Sequence, residues 1–282
     1  MSNKSLTITL IVILSVFALV ITGGLVFILV KGEDFRFVIN NDVAVNMNLV
    51  DSYETKIEEV DKIYLNLVST DVEIKESENE KILLEYYSNK ENNAKIEYSN
   101  NTIKLDEQNY RTTCIGFCNI RRKVILYLPK EYKNEIEIIT VSGDINSEID
   151  LTENKTKIET TSGDVKIKSV DNIDIKTISG DVKVENTKNI DVKTTSGDIE
   201  IKDVQETLNI KTISGDVTID TLSIKEQSNI NTTSGDVKIK TNETNCYVEV
   251  ETTSGDKNIN SSDRKSDIVL KVKTISGDIS VN

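Results

Sequence analysis

Eight aspartates each close a repeated Ser-Gly-Asp tripeptide, at Asp144, Asp164, Asp181, Asp198, Asp216, Asp236, Asp256 and Asp278. Carboxylates at so regular an interval invite two chemistries. Aligned along a stack they could hold a ladder of cations such as calcium, and the candidates are Asp164, Asp181, Asp198, Asp216 and Asp236. Paired, they could act as acid and base on a polysaccharide, but that needs one protonated and one charged carboxylate in unlike surroundings. Equivalent positions offer no such asymmetry. Calcium-binding repeats carry denser glycine and aspartate, so the simpler reading makes each aspartate a turn-maker that hydrogen-bonds nearby backbone.

The remaining composition closes other routes. The 282 residues include no histidine and no tryptophan, which removes imidazole triads, histidine metal sites and an imidazole pH switch. A formal charge of -13 is repelled by phosphate backbones, so nucleic acid is not an expected partner. No cofactor is expected, and the chain reads as a non-enzyme. Residues 110–123, Y-R-T-T-C-I-G-F-C-N-I-R-R-K, interrupt the pattern around them. Cys114 and Cys118 there are close enough to form a small disulfide in an oxidising compartment, which leaves Cys246 unpaired. The segment reads as a solvated loop between strands, with a partner-binding loop as the alternative.

The elements that position these residues follow from the repeat. Glycines 143, 163, 180, 197, 215, 235, 255 and 277 all stand in the tripeptide, which leaves four others in the chain. Around them runs the pattern I-x-I-x-T-x-S-G-D-V-x-I, as at Ile173, Ile175, Thr177, Ser179, Gly180, Asp181, Val182 and Val184. Period-two alternation means strands with one buried face. The odd step from Ser179 to Val182 would flip that face in a straight strand, so the chain must turn at Gly143, Gly163, Gly180, Gly197, Gly215, Gly235, Gly255 and Gly277. Repeats this short have no room for a crossover helix. Equivalent strands should therefore pair in parallel, about 4.8 Å apart, as rungs of an all-β, right-handed parallel β-solenoid. A stack of hairpins or an antiparallel sandwich is the rival arrangement.

A degenerate copy at Ile63, Leu65, Leu67, Ser69, Thr70, Asp71, Val72 and Ile74 puts Thr in the place of Gly. Strand-like runs follow, with Asn100-Asn101 as a hairpin turn. The last repeat should leave an open edge at the C-terminal end where another copy could add. Lys257 and Ser147 depart from the apolar pattern near the two ends of the array, as terminal repeats commonly do. Ahead of all this, residues 6–30 carry no charge and would span about 37 Å as a helix, enough to cross a bilayer. The expected organisation is a tail at 1–5, a transmembrane helix at 6–30, a linker at 31–52, an N-terminal β portion or cap at 53–129, and repeats at 130–282.

The T-x-S-G-D-V-x-I units, the opening segment K-I-Y-L-N-L-V-S-T-D-V-E-I at 62–74 and L-Y-L-P-K-E-Y at 126–132 resemble the bacterial "putative adhesin" β-strand-repeat family, related to toast-rack envelope domains. The resemblance implies a β-helix-like fold outside the membrane and no defined activity. With the apolar segment, it implies a single-pass protein of the cell membrane with its C-terminal part outside. The expected role is surface interaction or scaffolding, with cell wall, surface or membrane-protein partners. Two alternatives stand beside it: an accessory or sensor of an envelope-stress system, and a polysaccharide-active β-helix enzyme.

Overall fold

The structure is a computed structural model that describes residues 47–90, 94–107, 120–240 and 245–282. The apolar segment 6–30 and the pair Cys114 and Cys118 lie outside the described residues. Among the described residues no helix is long and apolar enough to cross a membrane.

The described chain is nineteen strands and one 3-10 turn. In order they are β1 (Asn48–Lys56), β2 (Lys62–Asn66), β3 (Thr70–Glu76), β4 (Lys81–Ser88), β5 (Ile96–Ser99), β6 (Thr102–Asp106) and β7 (Arg122–Leu128). Then come β8 (Glu135–Thr140), β9 (Ile145–Thr160), β10 (Val165–Lys176), β11 (Val182–Lys193), β12 (Ile199–Lys211) and β13 (Val217–Leu222). The last are β14 (Ser228–Asn231), β15 (Val237–Ile239), β16 (Tyr247–Ser254), β17 (Lys257–Ile259), β18 (Val269–Ser276) and β19 (Ile279–Val281).

From β8 onward every pairing is parallel, as expected for stacked coils. Each rung is a strand, a Ser-Gly-Asp corner and a second strand. The long strands β9 to β12 then bend into the next rung without a break, so one strand serves two sides of the coil. In β9 that bend is made by Glu153, at φ 63°, and by buried Asn154, whose amide donates to the carbonyls of Tyr132 and Asn134.

Register aligns like with like. One buried column runs Ile158, Ile175, Val192, Ile210, Ile230, Val272, and another runs Ile145, Val165, Val182, Ile199, Val217, Val237, Ile279. A rung alone cannot cover these residues. Stacking buries each aliphatic side chain fully, worth about 1.5–3 kcal/mol apiece before the entropy of ordering is subtracted. Ser147 stands in an apolar column between Ile74 and Ile167, buried, with its hydroxyl donating to the Ile149 carbonyl.

The order of rungs departs from the order of the sequence at both ends. At the N-terminal end, β2–β3 is flanked by the β6–β7 rung on one side and by β8–β9 on the other. β4 then covers β7 in antiparallel sense, β1 covers β4, and the β5–β6 hairpin turns on Asn100 and Asn101 at φ 50° and 56°. Tyr53 of β1 stacks on Tyr98 of β5 with ring centroids 5.4 Å apart. At the C-terminal end, β18–β19 pairs with β14–β15 on one side and with β16–β17 on the other. The final repeat is thus an interior rung. This corrects the expected edge: the open strands belong to the preceding repeat, and Lys257 lies there, exposed, in line with Val237 and Ile279.

Candidate functional site

The corners form one continuous line, and glycine is required there chiefly by proximity. A Cβ on Gly180 would sit 2.0 Å from the carbonyl oxygen of Gly163, and one on Gly163 would sit 1.9 Å from that of Gly143. The same contact continues to Thr70, which holds the glycine position in β2–β3 and lies against Gly143. Left-handed backbone is needed only at the later corners, as at Gly197 with φ 143°.

Two corner forms result. In the first three glycine corners the Gly143, Gly163 and Gly180 N–H groups donate to the hydroxyls of Thr140, Thr160 and Thr177 in their own rung, at 3.0 to 3.1 Å. At Gly197, Gly215, Gly235 and Gly277 the glycine N–H instead donates to a serine carbonyl of the adjacent rung. The buried hydroxyls of Thr212 and Thr232 are then left without a partner.

The aspartates make a ladder of their own. The Asp144 N–H donates to the Asp71 carboxylate, Asp164 to Asp144, and so on through Asp181, Asp198, Asp216, Asp236 and Asp278 to Asp256, at 2.8 to 3.1 Å. Every carboxylate from Asp71 to Asp278 in this order therefore accepts a backbone donor of the next rung, which offsets repulsion between charges one rung apart, and the ladder ends at Asp256. Among the described residues no group of three or more acidic, thiol or imidazole side chains is placed to hold a metal ion.

Outside the ladder lies a ridge formed by the residue between Thr and Ser. In spatial order it reads Val141, Thr161, Ile178, Thr195, Ile213, Thr233, Ile275, Thr253, an alternation that sequence order breaks and the interior placement of β18–β19 restores. Ile178, Ile213 and Ile275 are half exposed, at 53%, 53% and 50%.

The N-terminal end of the line holds a residue that the sequence reading passed over. Glu107 follows Ile103 and Leu105 in the column held elsewhere by Thr140, as register with β2 and β8 shows. It is buried, and its carboxylate accepts from the Thr70 and Tyr86 hydroxyls and the Val68 N–H, with the Arg122 guanidinium 4.0 Å away. Burial, reinforced by the Glu107 carboxylate, holds the Tyr86 phenol well above its usual range. The signal was available: I-x-L-x-E here matches I-x-I-x-T in the repeats. Beside it a cavity of about 350 Å³ is lined by Asp71, Glu73, Arg121, Arg122 and Lys123 among others. Cys246 is fully buried and free.

A family model described as Toastrack DUF4097 matches residues 60–282. The chain belongs to that Toastrack family. The Toastrack part thus takes in the degenerate copy, β4 to β7 and the repeats together, and leaves out β1. Among solved structures, a "putative adhesin" from Parabacteroides distasonis is 14% identical, with 83% of this chain and 97% of that one covered at a TM-score of 0.52. A "putative adhesin" from Bacteroides fragilis is 18% identical, with 83% and 97% covered at 0.49. A "putative lipid binding protein" from Parabacteroides distasonis is 18% identical, with 83% and 99% covered at 0.47. At these identities the likeness is one of fold. No curated protein matches the chain.

Proposed function

We propose that this chain is a single-pass membrane protein whose Toastrack stack stands outside the cell as a non-catalytic contact or scaffolding module. The uncharged segment 6–30 supports the anchor, and family membership supports the exposed stack. The coil takes the right-handed sense, following the general preference of parallel strand crossovers. The observation that carries the contact role is the corner ridge. Ile178, Ile213 and Ile275 keep aliphatic side chains in solvent at every second rung, about 10 Å apart, on a scaffold whose other outward strand positions are mostly polar. The carboxylates offer no counterpart for catalysis, because each, up to the end of the ladder at Asp256, repeats its neighbour's surroundings.

The test uses intact cells bearing the full chain. External protease should remove the stack, and cells should bind wall fragments or other cells. A chain with Ile178→Ser, Ile213→Ser and Ile275→Ser should lose that binding while it keeps its circular dichroism and melting temperature. Protection from external protease, or unchanged binding by the triple variant, refutes the reading.

A further inference from the structure

The interior position of the last repeat creates a slot and a plug within one chain. Strands β16 and β17 are the outer wall, β14 and β15 the inner wall, and β18–β19 fills the space between them. Both walls are fully engaged by the plug. Gly277 N–H donates to Ser254 and Asn282 N–H to Ile239, while Asn260 N–H donates to Val281. On the outer face Lys271 meets Glu249 at 3.7 Å and Lys273 meets Glu251 at 3.1 Å.

When the plug is absent, the facing edges of β14–β15 and β16–β17 both present unpaired backbone groups, open to β18–β19 of any copy. The outer wall also leaves the growing chain before the plug does, so an unfilled slot precedes its own filler. Every copy carries the same slot and the same plug. The one covalent tether between them is the stretch 260–268.

We propose that the slot accepts β18–β19 from a second copy of this chain, so that two molecules associate by exchange of their last repeats. Exchange keeps every contact of the closed form and needs no new complementary surface. Ordinary edge addition is opposed. The antiparallel registers that keep most of β16 paired with a second β16 set Glu249 and Glu251 against the same residues of the other copy. The plug presents Lys271 and Lys273 instead, the matching charges. This names the partner within the surface-contact reading and rests on that reading for the setting, two anchored copies facing each other.

The experiment uses two full-length chains with different affinity tags, co-expressed and purified in detergent. One carries Glu249→Lys and Glu251→Lys, and the other carries Lys271→Glu and Lys273→Glu. In each alone the slot and plug repel, whereas exchange between them restores every opposite pair. The two should co-purify at least 10-fold above either chain paired with a differently tagged copy of itself. Equal recovery in all pairings overturns the proposal. A second pair guards against misfolding: otherwise unaltered chains, one with Glu251→Cys and one with Lys273→Cys, positions that face each other in register. A disulfide joining peptides 251 and 273 across the two tags is expected, and its absence under oxidation overturns the proposal. Cell binding that survives while both exchange assays fail leaves the surface-contact reading intact.

Discussion

Two threonines in the same buried column have opposite value to the fold. Thr160 accepts the Gly163 N–H at 3.0 Å, whereas the Thr212 hydroxyl is buried with no partner. Thr160→Val strands a buried donor and should cost about 1–3 kcal/mol in urea unfolding, while Thr212→Val should be neutral or slightly stabilising. Equal losses at both sites would mean that the two corner forms do not differ in solution. At the glycines the sequence reading was half sufficient. It placed a turn at every tripeptide from parity alone, but it assigned glycine to backbone freedom, and the closest constraint is the carbonyl of the next rung. That contact lies between residues 17 apart at Gly163 and Gly180, so no local pattern contains it. Gly180→Ala should accordingly destabilise by about 2–4 kcal/mol, although its φ is one that alanine can adopt. Burial pushes the Cys246 thiol up to about 11, so native-state alkylation followed by peptide mapping should leave it unmodified.

Between strands, charge is arranged across rungs rather than along them. Glu137 is pulled in two directions: partial burial favours its neutral form, but hydrogen bonds from Lys157 and Lys62 outweigh that and hold the carboxyl below its usual range. Glu159 is lowered by Lys176 and then by Lys157. Carboxyls lowered in the folded state add stability that is complete above the unfolded value, near about 4.3, and is lost as pH falls through the folded value. The urea midpoint should therefore stay level from neutral pH down to about 5 and fall below about 4, and Glu137→Gln should flatten that acid limb. At the outer edge Lys257 is the guard. Lys257→Val should add concentration-dependent higher oligomers beyond the mass of the parent chain in light scattering, and a variant whose mass matches the parent's at every concentration would deny the lysine that role. The strands were legible because alternation survives through the repeats except at Ser147 and Lys257. Their order was not, since repeats of one pattern fit beside one another in any sequence. Lys257 and the Ile/Thr alternation at 233, 253 and 275 carry the missing information, and they read as departures until the spatial order is known.

Across the whole stack, stability should be graded, because each rung is held only by its neighbours. Amides of Val192 and Ile210, enclosed on both sides, should exchange hydrogen most slowly, and those of β16 and β17 should exchange fastest. A uniform rate would indicate one cooperative block. The interior seat of the last repeat also bears on how the molecule meets a mechanical load. In a coil wound in simple succession, tension on the final residue would peel one row of backbone bonds at a time. Here a pull on Asn282 has to shear the rows on both flanks of β18–β19 together, so a tethered chain should yield at higher force from that end than a sequentially wound coil of the same length.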